Sequence, residues 1–572
     1  MRRTTLLFWG TLVLGGCIQD LLADGAALAP DIETDASSTS TGEPSTPTTT
    51  GAGSGVHTVT GDSGSTGTTE GTDAEETGVD PASSSGEAVN LPPTVDLTVM
   101  PEHLGEAGSA ELHLAASEDV VKVRLSLDGE KIADLTPADF PYVWEALSAK
   151  DNGPARKFSA VVEDDEGLMA DDDAELSVGL PPAGAEKCLF QDPQKGDVTS
   201  LISALKYTPE AIVAVGTRGT GTALRITVWK LDPDHCEVVL PGWPKTIENW
   251  TGDQALGGLL SLGVALDIDE DGNLVVAGNF LVNGKLQSYV ALLNAEGSRL
   301  WERVGQLGDE VAGVGASKGS YSNRVFVVGS RRTSDNPVLT DGMVWVYQWT
   351  EGEDVYVQPP TVLRAPFTSD EFDTDPDNER SEWVRAVVVD VAGNALVVGE
   401  REYMDETLKV YSRAFAVHVH PFGQVLGIPW TSGGPAFGDD AFRSVTACGD
   451  ATLAGGWTRD HADLTAKPQP FLFWFEAETH RHLPQLGATQ IYGVACDREE
   501  KIISAATRSS GPPDAQVFTV IGASDTPVWY EQGAADANGA GAAACNHRGF
   551  CGWGGYRTTN AKPYAVVRVH HP

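Results

Sequence analysis

Six arginines recur at one place in a repeated pattern. Arg218, Arg331, Arg401, Arg459, Arg508 and Arg557 follow, by two to four residues, small residues at Gly216, Gly329, Gly399, Gly455, Ala505 and Gly554 that each close an apolar run. A guanidinium offers a rigid fork of donors that grips carboxylates or phosphates bidentately. Side chains at equivalent repeat positions would form a partial ring of anion sites on one rim. Acids recur as well: Asp197, Asp253, Asp309, Glu382 and Asp439 stand just before the apolar run that opens a repeat. Pairing between the two sets accounts for both patterns without a ligand.

Cation binding is the second chemistry on offer. Asp267, Asp269 and Asp271, followed by Gly272, reproduce the first half of a calcium loop, in which alternate side-chain oxygens face one ion. Calcium is the cofactor this implies, although the loop position that should carry a bidentate Glu is Gly278. Asp-Gly-Asn is also an ordinary hairpin turn. The acidic run from Asp370 to Asn378 has the same alternation without the Gly. His418, His420, His480 and His482 fall at i, i+2 spacing, which places each pair on one face of a strand, with no acid motif beside them. No catalytic residue is assigned. Gly61-Asp-Ser-Gly64 lies in a low-complexity tract, and Gly315-Ala-Ser-Lys-Gly319 lies in a turn between strands rather than between a strand and a helix.

The elements that must position these side chains are strands. The clearest repeat reads Gly263-Val-Ala-Leu-Asp-Ile-Asp-Glu-Asp-Gly-Asn-Leu-Val-Val-Ala-Gly278, then Ser288–Gly297, then Arg299-Leu-Trp-Glu-Arg303. Four strands in about fifty residues is the signature of a propeller blade. Seven copies follow at intervals of 49 to 70 residues, with Phe280 where the second lacks its Arg. The expected fold class is therefore all-β: a seven-bladed β-propeller over residues 186–572. Its last copy, Ala543–His571, holds three strands, so Lys187-Cys-Leu-Phe190 is expected to supply the fourth and close the ring. Small apolar stretches such as Gly263–Leu266 and Val445–Ala447 point to an apolar central channel. Trp301, Trp345, Trp474 and Trp529 stand where outer strands would pack; they would serve as core or as carbohydrate platforms.

Three further segments precede the repeats. Residues 1–16 have a charged start (Arg2, Arg3), an apolar run (Leu6–Leu14) and a small-residue site before Cys17, the pattern of a signal peptide. Residues 17–92 form a linker of Ser, Thr, Gly, Pro and acid. From Asp20 to Asn90 it carries thirteen carboxylates and no Lys, Arg, Phe, Trp or Tyr, so it cannot bury enough apolar surface to offset the entropy of ordering. Residues 93–180 alternate as short strands do, with Asp128-Gly129 as a hairpin turn, which predicts a small β-sandwich.

Leu14-Gly-Gly-Cys17 resembles the lipobox of bacterial lipoproteins. The resemblance implies that Cys17 becomes the acylated first mature residue and that the membrane is met through this lipid anchor alone. Ile18 after the Cys implies outer-membrane sorting, hence a cell-envelope protein facing the periplasm or the cell surface. Pro92-Pro-Thr-Val95 and Val161-Val-Glu-Asp-Asp-Glu-Gly167 are similar to bacterial Ig-like domains, and the Asp-Gly-Asn turn with a Leu-Trp outer strand resembles the bacterial β-propeller-repeat family.

Removing Cys17 leaves six cysteines, an even number in an exported chain, which points to disulfides. Fifteen pairings exist; nearest neighbours, Cys188 with Cys236, Cys448 with Cys496 and Cys545 with Cys551, are the favoured set. With 81 acidic against 39 basic residues and a formal charge of −42, the chain would repel nucleic acid, whose binding depends on Lys and Arg contacts. The combined expectation is a monomeric, surface-anchored binding module for an envelope protein or glycan. The alternative is a propeller-type hydrolase or lyase acting on an extracellular polymer.

Overall fold

The structure, a computed structural model, describes residues 91–572 apart from 147–148, 193–197, 222, 247–259, 336–337, 351–352, 357–360, 364–380, 405–409, 433–438, 461–465, 484–489, 497–501, 508–514, 521–526, 533–537 and 560–561. The signal segment 1–16 with Cys17, the linker to Asn90, Asp197, Asp253, the acidic run 370–378 and Arg508 lie outside the described residues. All described sheets are small and the chain is all-β, with no helix long and apolar enough to cross a membrane among the described residues.

Two sheets come first. One holds Val95–Met100, Gly108–Ala116 and Tyr142–Ala146; the other holds His103–Leu104, Met169–Val178, Gly153–Asp164, Val120–Leu127 and Glu130–Leu135. Burial alternates along Phe158–Asp164, as expected for strands with one wet face. Leu97, Leu112, Val123, Leu125, Phe158 and Val162 form one core between the sheets. Asp128 and Gly129 both take positive φ, so the expected hairpin turn is present.

Seven antiparallel sheets follow, numbered here in chain order. Sheet 1 comprises Val198–Tyr207, Ile212–Thr220, Ala223–Leu231 and Lys245–Thr246; sheet 2 comprises Leu260–Ile268, Leu274–Val282, Lys285–Leu293 and Arg299–Leu307. Sheet 3 opens with Asp309–Ala316 and Arg324–Asp335 and is the five-stranded one. Sheet 4 opens with Glu382–Val389 and Ala395–Met404, sheet 5 with Asp439–Cys448 and Ala451–Arg459, and sheet 6 with Gln490–Cys496 and Ile502–Thr507. Sheet 7 comprises Asn538–Cys545, Cys551–Thr559 and Lys562–His570, completed by the early strand Glu186–Gln191. Leu189 and Phe190 lie opposite Arg568 and Val567, so the last sheet takes its outer strand from ahead of the first. Each first strand touches the first strands of its two neighbours, and that of sheet 7 touches that of sheet 1.

Apolar cores bind these sheets pairwise. Phe190, Ile202, Trp229 and Val567 join sheets 7 and 1; Val228, Phe280 and Tyr289 join 1 and 2; Trp301, Val327 and Trp345 join 2 and 3. Phe326 and Phe415 join 3 and 4, while Phe442, Phe471 and Phe473 meet Ala414 and Val398 between 4 and 5. Trp301 and Trp345 are thus core residues. Polar latches run beside the cores: the Ser200 hydroxyl accepts from Ala565 N and the Ser261 hydroxyl from Ile226 N, both at 2.9 Å.

Three disulfides are present, Cys188–Cys236, Cys448–Cys496 and Cys545–Cys551, the nearest-neighbour set. The first ties the outer strand of sheet 7 to the connection between the third and fourth strands of sheet 1. The second ties the first strands of sheets 5 and 6. A joint between the leading two sheets and the rest is built from Ala107, which packs into the core of sheets 7 and 1, and Glu106, 3.2 Å from Lys187.

Every one of the seven sheets has a register shift between its first and second strands. The extra residues are Ser203, Val264, Ala312, Arg385, Arg443, Tyr492 and Gly541. A bulge places two residues of one strand against one of its partner and bends the bulged strand. The recurrent small residue sits opposite it. A Cβ on Gly216 would fall onto the Leu201 carbonyl oxygen, and one on Gly329 onto that of Glu310. These glycines therefore do not end their strands, as the sequence reading expected; the strands run on to Thr220 and Asp335.

Candidate functional site

The prolonged second strands carry the recurrent arginines to the start of each first strand. Arg331 stands directly opposite Asp309, Arg401 opposite Glu382, and Arg459 opposite Asp439. Arg331 donates to Asp309 through Nε at 2.6 Å and Nη2 at 3.1 Å, and Asp309 is 1% exposed. Arg459 donates to Asp439, which also accepts from Ser412 N at 2.6 Å across to sheet 4. Arg218 departs from the pattern. Its Nε reaches Asp192 at 2.9 Å, just beyond the completing strand of sheet 7. Arg557 stands opposite Asn538, and its buried Nε has no hydrogen-bond partner.

Arg218, Arg331 and Arg459 thus anchor strand ends through buried carboxylates. Internal pairing of a buried carboxylate with a half-buried guanidinium satisfies both groups and fixes the register of the two strands.

The three aspartates of the sheet 2 turn do not converge on a common point. Asp267 accepts from Ala316 N at 2.8 Å and pairs with Lys206 at 3.0 Å, so it links sheets 1, 2 and 3. Asp269 accepts from the backbone of Asp271 and Asn273 and from the Asn273 amide, which uses it up inside its own hairpin. Burial raises the Asp269 carboxyl above its usual range, against these hydrogen bonds. Among the described residues, the acidic or sulfur groups that do meet are buried Asp164 with exposed Asp165 and Glu166 in one turn, and the bridged Cys188 and Cys236 with Glu237.

His480 and His482 face Phe473 and Phe471 across the edge of sheet 5, with their rings 5.1 Å apart. His420 stacks on Phe422 at 5.2 Å. Ser317, from the nucleophile-like lettering, is buried and donates to the Gly393 carbonyl at 3.2 Å. It has no base beside it and serves as a brace between sheets 3 and 4.

The most charged buried group arises elsewhere, at the bulges. In sheets 1, 2, 3 and 7 the extra residue is small or apolar; in sheets 4, 5 and 6 it is Arg385, Arg443 and Tyr492. Arg385 donates to Glu400 Oε1 from Nε at 3.0 Å and from Nη2 at 2.6 Å, while Arg443 Nη1 donates to the same oxygen at 2.9 Å. Tyr492, whose hydroxyl accepts from Gln490, acts electrostatically on Arg443. Burial alone would raise the Glu400 carboxyl, but Arg443 and Arg385 outweigh it and hold the group below the usual carboxylate range. A carboxylate held this way stays ionised and does not shuttle protons near neutral pH.

No family model and no curated protein matches the chain. Among solved structures, it is similar to Chaetomium thermophilum Sqt1, at 13% identity over 68% of this chain and 98% of that one, with a TM-score of 0.36. The same protein bound to the N-terminus of ribosomal protein L10 gives 13% identity, 68% and 100% coverage and a TM-score of 0.35. Drosophila Plexin A in complex with Semaphorin 1b gives 8% identity, 67% and 87% coverage and a TM-score of 0.34.

Proposed function

We propose that this chain is a lipid-anchored binding protein of the bacterial cell envelope, with an Ig-like spacer carrying a seven-bladed β-propeller. Support for the propeller is the unbroken cycle of contacts among the first strands, together with the completing strand Glu186–Gln191. Support for the spacer is the two-sheet core around Phe158. The anchor rests on Leu14-Gly-Gly-Cys17, and the acidic linker would hold the folded part off the membrane.

The observation that carries binding is the buried cluster of Arg385 and Arg443 on Glu400, which fixes two guanidiniums, groups suited to gripping an anion, on neighbouring first strands. A rigid wheel stapled by three disulfides and by buried Arg–Asp pairs suits presentation of a fixed surface to an envelope glycan or protein.

Two measurements on the full chain test the reading. Expressed in a Gram-negative host, the protein should partition with membranes and incorporate labelled palmitate, and Cys17→Ala should move it to the soluble fraction. The purified chain should show saturable binding to one of a panel of envelope polysaccharides and outer-membrane proteins. Turnover of a polymer in that panel would replace the binding reading with the hydrolytic one.

A further inference from the structure

Arg385 and Arg443 occupy the bulged position of neighbouring first strands, in sheets 4 and 5, and converge on one carboxylate oxygen. Two positive charges therefore share a single negative charge. The side chains are exposed by only 5% for Arg385, 14% for Arg443 and 5% for Glu400. An arginine cannot shed its proton to relieve the imbalance. Arg443 Nε is buried and without a hydrogen-bond partner, and an unpaired buried charged donor is costly. Burial pulls the Arg443 guanidinium below its ordinary range; Glu400 pulls it back, and Arg385 pushes it down again.

We infer that Arg385 and Arg443 form a recognition site for one carboxylate group of a ligand, flanked by Tyr492 on sheet 6. The surplus charge is one unit, which a carboxylate neutralises and a doubly charged phosphate would overshoot. The planar fork of a guanidinium matches the two oxygens of a carboxylate. Glu400 then acts as an internal stand-in: it orients both arginines and leaves part of their donor capacity to the incoming group. The rim arginines differ, since Arg331 and Arg459 each meet one buried acid and carry no surplus. This inference deepens the binding-module reading by naming the ligand chemistry of that module.

Isothermal titration of the full chain at low, constant ionic strength tests it, using acetate as a free organic acid, galacturonate as an acidic sugar and acetamide as the uncharged control. Saturable binding of acetate or galacturonate with none of acetamide is expected. Binding of both points to an acidic glycan as the source, and binding of acetate alone to a free acid. Arg443→Lys keeps the charge but removes the fork and should weaken binding at least tenfold. Glu400→Gln removes the internal competitor and should tighten it about tenfold. Absence of saturable binding by either acid, or binding indifferent to Arg443→Lys in a variant that melts as wild type does, overturns the site. Capture of an envelope polymer by a chain that binds neither acid would leave the binding-module reading standing and remove only this site.

Discussion

Replacing Cys188 and Cys236 together by alanine should cost more stability than removing the hairpin bridge Cys545–Cys551, by an amount set by loop length. The first bridge spans 48 residues and the second spans 6. A chain-entropy treatment gives about 4 kcal/mol for the long loop and about 2 kcal/mol for the short one. Cys448–Cys496, which also spans 48, should match the first. Alanine is the substitute because Cys236 is 0% exposed, and a serine hydroxyl there would add its own desolvation cost. Urea unfolding of the full chain under non-reducing conditions, followed by tryptophan fluorescence, reads the difference. Buried Trp229 packs in the core that holds Cys188 and Cys236, and buried Trp553 in the one that holds Cys545 and Cys551, so an indole reports on each bridge. Equal losses for the long and short bridges, or a larger loss for the hairpin bridge, would refute the entropic reasoning.

Gly329→Ala forces a Cβ against the Glu310 carbonyl oxygen opposite the sheet 3 bulge and should lower stability by about 1–3 kcal/mol; an unchanged urea midpoint would remove the bulge as the reason for the recurrent small residue. Acid should weaken the completed seventh sheet through His570, 2% exposed, whose pKa burial lowers to about 4, against the hydrogen bond to the Gly184 carbonyl and with Arg568, Glu186 and His571 as charged or titratable neighbours. The unfolded chain protonates this His near pH 6.5 and the folded chain resists until about pH 4, so stability present above pH 6.5 is lost as pH falls through that window, by about 3 kcal/mol at most. Melting temperature measured from pH 7 to pH 4 should fall less steeply in His570→Gln than in the parent chain, and parallel curves would exclude this residue.

Much of the architecture was legible because repetition and alternation are written in side-chain types. The all-β class and the supply of the outer strand of sheet 7 by Leu189 and Phe190 follow from patterns of period two and from counting strands, and the three cysteine pairs from an even count paired between nearest neighbours. The pairing of Arg331 with Asp309 and of Arg459 with Asp439 was legible for the same reason: both sets recur at fixed offsets. The partner of Arg218 was not, because Asp192 belongs to a strand some 26 residues upstream and not to the local repeat. The cluster on Glu400 was missed because it depends on a one-residue register shift, and a shift leaves no mark on composition. One signal was available. Arg385 lies inside Trp383-Val-Arg-Ala-Val387 and Arg443 follows Ala441-Phe442, so each puts a positive charge into a first strand beyond its opening acid.

The seventh sheet has a temporal consequence. Its outer strand, Glu186–Gln191, is made long before its partner Lys562–His570, with Gly184 and His570 lying 386 positions apart. Until that partner is made, the early segment is an unpaired edge, open to wrong neighbours. Completion waits on Lys562–His570, so a chain cut within sheet 7 should be an unfinished substrate for proteases rather than a slightly weakened protein.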